Sequence, residues 1–156
     1  MSKETVLRQL QEAVAKGEEH VGDWLTVDQA RIDRFADATE DHQWIHVDPK
    51  RAQAESPYKD TIAHGYLTLS LLPGLTGAVK GGVSQYAGVK LGVNYGLNRV
   101  RFPAPVLVNS RVRSRRKIKE VSEVPGGLQL VSEVTIEVEG GEKPCCVAET
   151  VSRMYF

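Results

Sequence analysis

The sequence of 156 residues contains only two cysteines, and they are adjacent, at Cys145 and Cys146. Adjacent cysteines cannot join distant segments by a disulfide, and their spacing is not that of a zinc-binding motif. We expect both to be ordinary strand residues that face opposite sides of a sheet. The apolar runs are too short for a membrane-spanning helix, and the N-terminus lacks the basic and apolar blocks of a signal peptide. These absences predict a cytoplasmic protein.

An excess of charge of one sign is also absent. Lysine and arginine together number 20, and aspartate and glutamate number 20, so the formal net charge is zero. Proteins that bind nucleic acids or anionic membranes usually carry a net positive charge, so we expect neither as a partner. With 41% hydrophobic residues, the chain has the size and composition of one soluble domain over residues 1–156.

The first half of the sequence is dominated by helical patterns. Apolar residues recur at helical spacing between Ser2, which can cap a helix, and Gly17, which can end one. This pattern predicts a helical extension within residues 1–20. An aspartate at a capping position and a proline in a first turn predict two further helices, over residues 28–37 and 50–54.

The second half changes from helical to strand patterns. After Gly65, residues 66–72 are apolar on almost every side, as in a buried helix that Pro73 and Gly74 should end or kink, with an irregular continuation. From residue 86 onward, valine, isoleucine and alternating polarity dominate, with turn signals at 103–105, 125–127 and 140–141. These features predict four long antiparallel strands and an α+β fold, with one sheet packed on one central helix.

The densest cluster of reactive side chains lies in residues 38–48. An aspartate and a histidine five residues apart, Asp41 and His46, can converge on one water, so that one accepts its proton and the other serves the substrate. Such pairs also occur by chance. The alternative is that Asp41 caps a turn and that His46 is a surface or core histidine.

Three segments of the sequence resemble the MaoC-like (R)-specific enoyl-CoA hydratases, in particular the nodulation protein N-like branch. They are residues 41–48 (DHQWIHVD), 62–70 (IAHGYLTLS) and 94–106 (NYGLNRVRFPAPV), and the resemblance extends over residues 20–156. The commoner form of the first motif reads Gly-Asp-x-Asn-Pro-aliphatic-His. This chain has Glu40, Gln43 and Trp44 at the glycine, asparagine and proline positions.

The resemblance implies a hot-dog fold, in which a long antiparallel sheet wraps around a central helix, and a homodimer that closes the acyl channel. It assigns Asp41 and His46 as the acid/base pair that holds the water added to a trans-2-enoyl-CoA. The backbone amide of Gly65 would bind the thioester oxygen, the amide of Gln43 would brace the loop, and Ser70 would lie near the substrate. The resemblance implies no metal or redox cofactor, because coenzyme A is part of the substrate. His64 is expected only to hydrogen-bond and stiffen the start of the helix.

Two other functions remain open at this stage. Hot-dog domains also hydrolyse acyl-CoA with an acidic residue and a helix N-terminus, so an acyl-CoA thioesterase is one alternative. The other is a non-catalytic acyl-CoA binding or regulatory module. The pair of Asp41 and His46 favours hydration, because hydrolysis needs no second group directed at C2 and C3.

Five basic residues at alternate positions predict a positive stripe on one face of a strand. They are Arg111, Arg113, Arg115, Lys117 and Lys119. The stripe could dock coenzyme A or a carrier protein, or it could be neutralised across a hairpin. With a three-residue turn at 125–127, the second interpretation pairs Lys119 with Glu133, Arg115 with Glu137 and Arg113 with Glu139.

Overall fold

The computed structural model describes residues 2–77, 79–80 and 83–156. The helices within these ranges are α1 (Lys3–Lys16), α2 (Gln29–Thr39), α3 (Trp44–Val47), α4 (Pro49–Glu55), α5 (Gly65–Ser70) and α6 (Leu72–Leu75). The strands are β1 (Glu19–Val21), β2 (Leu25–Val27), β3 (Val79–Lys80), β4 (Val83–Ser84), β5 (Leu91–Arg101), β6 (Ser110–Val124), β7 (Gly127–Val138) and β8 (Cys146–Tyr155). None of the described helices is long and apolar enough to cross a membrane.

One antiparallel sheet of six strands dominates the fold. Its order is β1-β6-β7-β8-β5, with β2 also paired to β6, while β3 and β4 form a separate two-stranded sheet. The four long strands and their antiparallel pairing confirm the α+β prediction. The three residues of β1 have no alternating apolar pattern and are all exposed, which is why the sequence did not reveal this strand.

The predicted helix starts are confirmed by their caps. Ser2 accepts a hydrogen bond from the backbone amide of Thr5, and Gly17 ends α1 with a φ of 64°. Asp28 caps α2 and Asp48 caps α4 by the same kind of bond, each accepting the amide three residues on. These caps are local, so the sequence is enough to place them.

Helix α2 continues two residues beyond its predicted end. It ends when Glu40 adopts a left-handed backbone conformation, with a φ of 63°. This conformation suits glycine, and the commoner motif has glycine at this position. The glutamate therefore keeps the chain geometry of the motif at a cost in backbone strain of about 1 kcal/mol.

The central helix is interrupted rather than ended by its proline. Helix α5 stops at Ser70, and α6 begins at Leu72 and contains Pro73. Proline has no amide hydrogen to donate, so the helical hydrogen-bond ladder breaks just before it. The prediction of an irregular continuation was wrong for residues 72–75. The expectation that the helix is buried on nearly every side was also wrong, since Tyr66 is 72% exposed.

Two hydrophobic clusters cover the face of the sheet that carries the helices. The first joins α2, α5 and α6 to the sheet, and its members include Ile32, Leu67, Leu75, Val112, Val134, Ile136 and Ala148. The second consists of Val6 and Leu10 of α1 with Leu128, Leu130 and Met154. The N-terminal helix therefore buries the far end of the β6–β7 hairpin.

Both cysteines are buried, as structural cysteines usually are. Cys146 begins β8, whereas Cys145 precedes the strand and donates its amide hydrogen to the carbonyl of Ile136, so the expectation that both lie in a strand was wrong for Cys145. Burial raises the pKa of the Cys145 thiol to about 12 and that of the Cys146 thiol to about 11. Both thiols are therefore protonated and unreactive at neutral pH.

The three arginines of the basic stripe pair with glutamates across the hairpin, as the second interpretation predicted. Lys117 pairs instead with Glu19 of β1, and Lys119 has no ion pair with any residue that the structure describes. Arg111 bonds Glu139 at 3.0 Å, Arg113 is paired with Glu137, and Arg115 contacts both Glu137 and Glu19. These pairs are exposed or half-buried, and we expect each to contribute well under about 1 kcal/mol.

The predicted register of this hairpin was wrong by two residues. The turn has two central residues, Pro125 and Gly126, so that Val124 pairs with Gly127, and a bulge follows between Ile118 and Glu120. Arg113 is therefore opposite Glu137 rather than Glu139. A bulge depends on packing across the sheet, and the hairpin sequence alone does not indicate it.

Candidate active site

Three ionisable side chains from separate segments meet at the start of α5. Asp41 lies in the loop between α2 and α3, His46 lies in α3, and His64 immediately precedes α5. Their ligating atoms all lie within 4.8 Å of one another. The two histidines are 9% and 3% exposed, whereas Asp41 is open to solvent. The two residues that the sequence predicted as a pair are therefore adjacent in space.

The protonation of the His46 ring is set by its backbone contact. The Nδ1 atom donates a hydrogen bond of 2.7 Å to the carbonyl of Ile62. In the neutral ring, the lone pair must then be on Nε2. Burial lowers the pKa of His46 from its ordinary value, and the proximity of His64 lowers it further, against the opposing effects of the Ile62 bond and of Asp41. The ring is thus a neutral acceptor at pH 7.

His64 connects the two predicted catalytic residues. Its Nε2 donates a hydrogen bond of 2.9 Å to the backbone carbonyl of Asp41. Its ring stacks on that of His46, with 3.8 Å between the ring centroids, and also contacts Phe35. The hydrogen bond expected of His64 is present, but its side chain does not cap α5, and its contacts with Asp41 and His46 were not predicted.

Gln29 and Thr61 support α3 from behind. The side-chain amide of Gln29 donates to the carbonyl of His46 at 2.8 Å and also to Asp33. The buried hydroxyl of Thr61 donates to Gln29 at 2.6 Å. The sequence carries no sign of this chain of bonds, because its members lie 17 and 32 residues apart.

The loop that carries Asp41 is held by backbone contacts. Asp41 accepts a long hydrogen bond of 3.4 Å from the backbone amide of Gln43. The side chain of Gln43 is exposed and makes no hydrogen bond to any residue that the structure describes. The expected bracing of the loop by the Gln43 amide group is therefore not seen in this conformation.

Gly65 and Ser70 mark the two ends of α5. The amides of the first helical turn have no partner within a helix, so the amide of Gly65 is free to face a ligand. A β-carbon at Gly65 would lie 3.0 Å from the ring of Phe102, so the backbone and this ring are closely packed. Ser70 donates its hydroxyl hydrogen to the carbonyl of Tyr66 at 2.6 Å and borders a cavity of about 830 Å³ between α5, α6 and the sheet.

Comparison with protein families matches residues 12–139 to the MaoC-like domain. The chain belongs to the MaoC-like dehydratase family. It is 52% identical over 144 residues to 3-hydroxyacyl-thioester dehydratase Z of Mycobacterium tuberculosis, with 90% of this chain and 91% of that protein covered. It is 47% identical over 136 residues to Nodulation protein N of Rhizobium leguminosarum bv. viciae, with 86% and 82% covered.

The fold agrees with this membership. The structure of an (R)-hydratase from A. caviae involved in PHA biosynthesis superimposes with a TM-score of 0.67 at 25% identity, covering 87% of this chain and 93% of that one. The chain therefore has the hot-dog fold of the MaoC-like dehydratases, and the resemblance inferred from the three sequence motifs is confirmed.

The three clustered side chains of this MaoC-like dehydratase are poorly arranged for a metal ion. The rings of His46 and His64 are stacked with an angle of 27° between their planes. The lone pairs of an imidazole lie in the plane of its ring, so two stacked rings cannot direct them at one ion. In addition, the Nδ1 atom of His46 is already engaged with Ile62. The arrangement suits proton transfer at Nε2 of His46.

Proposed function

We propose that this enzyme catalyses the reversible (R)-specific hydration of trans-2-enoyl-CoA to (R)-3-hydroxyacyl-CoA in fatty-acid metabolism. The observation that carries the proposal is the group of Asp41 and neutral, buried His46 beside the first turn of α5. The name of the mycobacterial relative, a 3-hydroxyacyl-thioester dehydratase, and that of the (R)-hydratase neighbour support the same chemistry. The cytoplasmic location predicted from the sequence remains a prediction.

The proposed reaction needs one water held between two groups. In hydration, an O–H bond of the water breaks as its oxygen attacks C3, and a new C–H bond forms at C2. The unprotonated Nε2 of His46 is suited to accept the proton from the water, while the carboxylate of Asp41 orients it. The protonated Nε2 of His46 then delivers this proton to C2, so both residues return to their starting state.

The negative charge that develops on the thioester oxygen needs a donor. We assign this role to the backbone amide of Gly65, at the positive end of α5. Glycine suits this position because a β-carbon would lie only 3.0 Å from the Phe102 ring. Because these steps require only proton transfer and one hydrogen-bond donor, we propose that no metal or separate cofactor takes part.

The assay that tests this proposal follows hydration and hydrolysis separately. Purified protein is mixed with crotonyl-CoA and with a longer enoyl-CoA, and both the loss of conjugated absorbance and the release of free thiol are recorded. We expect rapid loss of absorbance without thiol release, and an (R)-configured product. Thiol release without hydration would indicate the thioesterase, and tight binding without either reaction would indicate the non-catalytic module.

We also propose that the enzyme is a homodimer in which the exposed edge of β5 pairs with its counterpart. This strand is 11 residues long and forms one edge of the sheet. It exposes Leu91, Tyr95 and Leu97, and a long apolar edge strand is unfavourable in a monomer. Tyr66, next to Gly65, is also exposed, and its ring contacts that of Phe102 directly after β5, so a partner bound along this edge would lie near the candidate site.

Sedimentation velocity tests the dimer. The wild-type protein is expected to sediment as a dimer at micromolar concentration, and Leu97→Lys is expected to shift it towards monomer, since a charge on an edge strand opposes pairing. Leu107→Lys is the matched control, because Leu107 is a leucine of comparable exposure outside β5. A fully active wild-type monomer would exclude the proposal, and equal behaviour of the two variants would exclude this interface.

A further inference from the structure

Arg116 lies on a different face of β6 from the basic stripe. Along β6, Arg113 and Arg115 lie on the outer face, where glutamates pair with them. Ser114 lies on the opposite face, since its hydroxyl bonds the carbonyl of Leu75 in α6. Arg116 is two residues further along the same regular stretch and pairs with Val134, a member of the core. Its side chain is therefore on the inner face, among the helices.

The guanidinium group of Arg116 has no acceptor. Its Nε atom is buried without a hydrogen-bond partner, and none of the described residues forms an ion pair or hydrogen bond with the side chain. A buried guanidinium donor without an acceptor is costly, and such groups are normally paired. An unpaired guanidinium donor on the wall of a cavity indicates a binding site for a ligand with an anionic or carbonyl oxygen.

The cavity that Arg116 borders is the same one that Ser70 borders. No aspartate or glutamate is among the described residues that line it, and the sequence of residues 78–84 contains none. Lys90 and Arg153 are two further basic residues of the lining. The electrostatic potential in this cavity therefore favours an anion.

A polar band crosses the inner face of the sheet at Arg116. On β7, Ser132 lies between Leu130 of one hydrophobic cluster and Val134 of the other, and Thr150 of β8 is directly opposite it. Ser132 is buried, and both residues line the cavity. A channel built only for an alkyl chain would be apolar here. The band instead provides polar atoms at one depth of the cavity.

The length of α5 relates this band to the candidate active site. Gly65 begins the helix and Ser70 ends it, so the two residues are about 7.5 Å apart along its axis. An acyl chain whose thioester lies at Gly65 would pass Ser70 and continue into the cavity. Its far end would then meet the polar band.

We propose that Arg116 makes the enzyme selective for acyl thioesters that carry a carboxylate at the far end of the acyl chain. This inference rests on the proposed function, since it places the thioester at Gly65. The planar guanidinium can bind both carboxylate oxygens, and the hydroxyl of Ser132 is a neighbouring donor, whereas the hydroxyl of Thr150 donates to the backbone carbonyl of Ser132 at 3.5 Å. A methyl group at the same place would leave the buried Nε donor of this half-buried arginine without an acceptor.

The test compares matched substrates within each variant. The pair is trans-2-octenedioyl-CoA, which has the distal carboxylate, and trans-2-octenoyl-CoA, which lacks it, with six- and ten-carbon pairs alongside. For the wild type we expect kcat/KM to be at least about tenfold higher for the carboxylated member at one or more lengths. Arg116→Met should abolish this preference, and Arg116→Lys should retain part of it. Arg115→Met, the same substitution on the opposite face, should leave the ratio unchanged.

Binding of the saturated octanedioyl-CoA and octanoyl-CoA separates this inference from the proposed function. A preference for the carboxylated thioester that depends on Arg116, without turnover of either enoyl-CoA, would support the inference and reject hydration. Hydration with equal kcat/KM for both members at every length would reject the inference and retain hydration. If the ratio of the two kcat/KM values is unchanged in a folded Arg116→Met protein, the inference is also rejected, because a group other than Arg116 would then bind the carboxylate.

Discussion

Asp41→Asn and His46→Gln are each expected to lower the turnover of enoyl-CoA hydration by at least about 10²-fold. The glutamine amide cannot accept the proton from water as the imidazole of His46 does, and the neutral asparagine amide holds the water less strongly than the carboxylate of Asp41. Asp41 is open to solvent, so its substitution should leave the fold intact. His46→Gln also removes the hydrogen bond from Nδ1 to the Ile62 carbonyl, so the folding of this variant is checked directly. Steady-state kinetics, with circular dichroism and sedimentation as folding checks, provides the measurement.

Asp37→Asn and His42→Gln are the matched controls for these variants. His42 and Asp37 are exposed residues of the same part of the chain, and they bond one another at 2.9 Å. They carry the same pair of residue types, so a general effect of the substitutions would appear in both sets. Full activity of Asp41→Asn or His46→Gln would place the chemistry elsewhere.

The double variant tests whether the two residues act on one water. Groups that work as a unit lose most of their effect when either is removed, so the double variant should be little slower than the worse single variant. Strict additivity of the two free-energy changes would contradict a shared water. Loss of thiol release with Asp41→Asn, in a protein that never hydrates, would instead assign a thioesterase.

The parts of the fold that were predictable depend on neighbours in the sequence. Ser2, Asp28 and Asp48 cap the helix that follows each of them, and alternating polarity marks the four long strands. The bulge between Ile118 and Glu120 was not predictable, because it is selected by contacts across the sheet. The error in register made the predicted partner of Arg113 wrong, whereas the predicted contact of Arg115 with Glu137 is present.

In the candidate site, too, the features set by neighbours in the sequence were predictable, and those set by contacts between distant segments were not. Asp41 and His46 were identified because they lie in one short motif. The bond from Gln29 to the His46 carbonyl was missed, because it joins segments that only the fold brings together. For Arg116 the sequence does hold a signal, since this residue is out of phase with the alternating basic stripe. A basic residue out of phase with such a stripe faces the core, provided that the strand is regular.

The pH dependence of the reaction follows from the pKa of His46. Burial lowers this pKa below its ordinary value of 6.5, so the neutral, proton-accepting form prevails at neutral pH. Hydration should therefore be insensitive to pH around 7. Below the lowered pKa, kcat/KM should fall about tenfold for each pH unit, because only the neutral fraction of the free enzyme is active. An acid limb above pH 6.5 would contradict the lowered pKa.

The stability of the protein should respond to the same ionisation. In the unfolded chain His46 has the higher pKa, so between the two pKa values the unfolded state binds more protons than the folded state. The free energy of unfolding therefore falls as pH drops through 6.5 and continues to fall until the folded-state pKa is reached.

Variants of His46 and His42 separate the opposite contributions of these two residues to the pH dependence of stability. His46→Gln should remove the part of the pH dependence of stability that burial of this ring causes, together with the acid limb of any residual activity. His42 gives the contrast, because its hydrogen bond to Asp37 raises its pKa, and the stability that it adds is lost as pH rises through that pKa. His42→Gln should accordingly retain the fall of kcat/KM at low pH. If this variant loses that fall, the acid limb does not arise from His46.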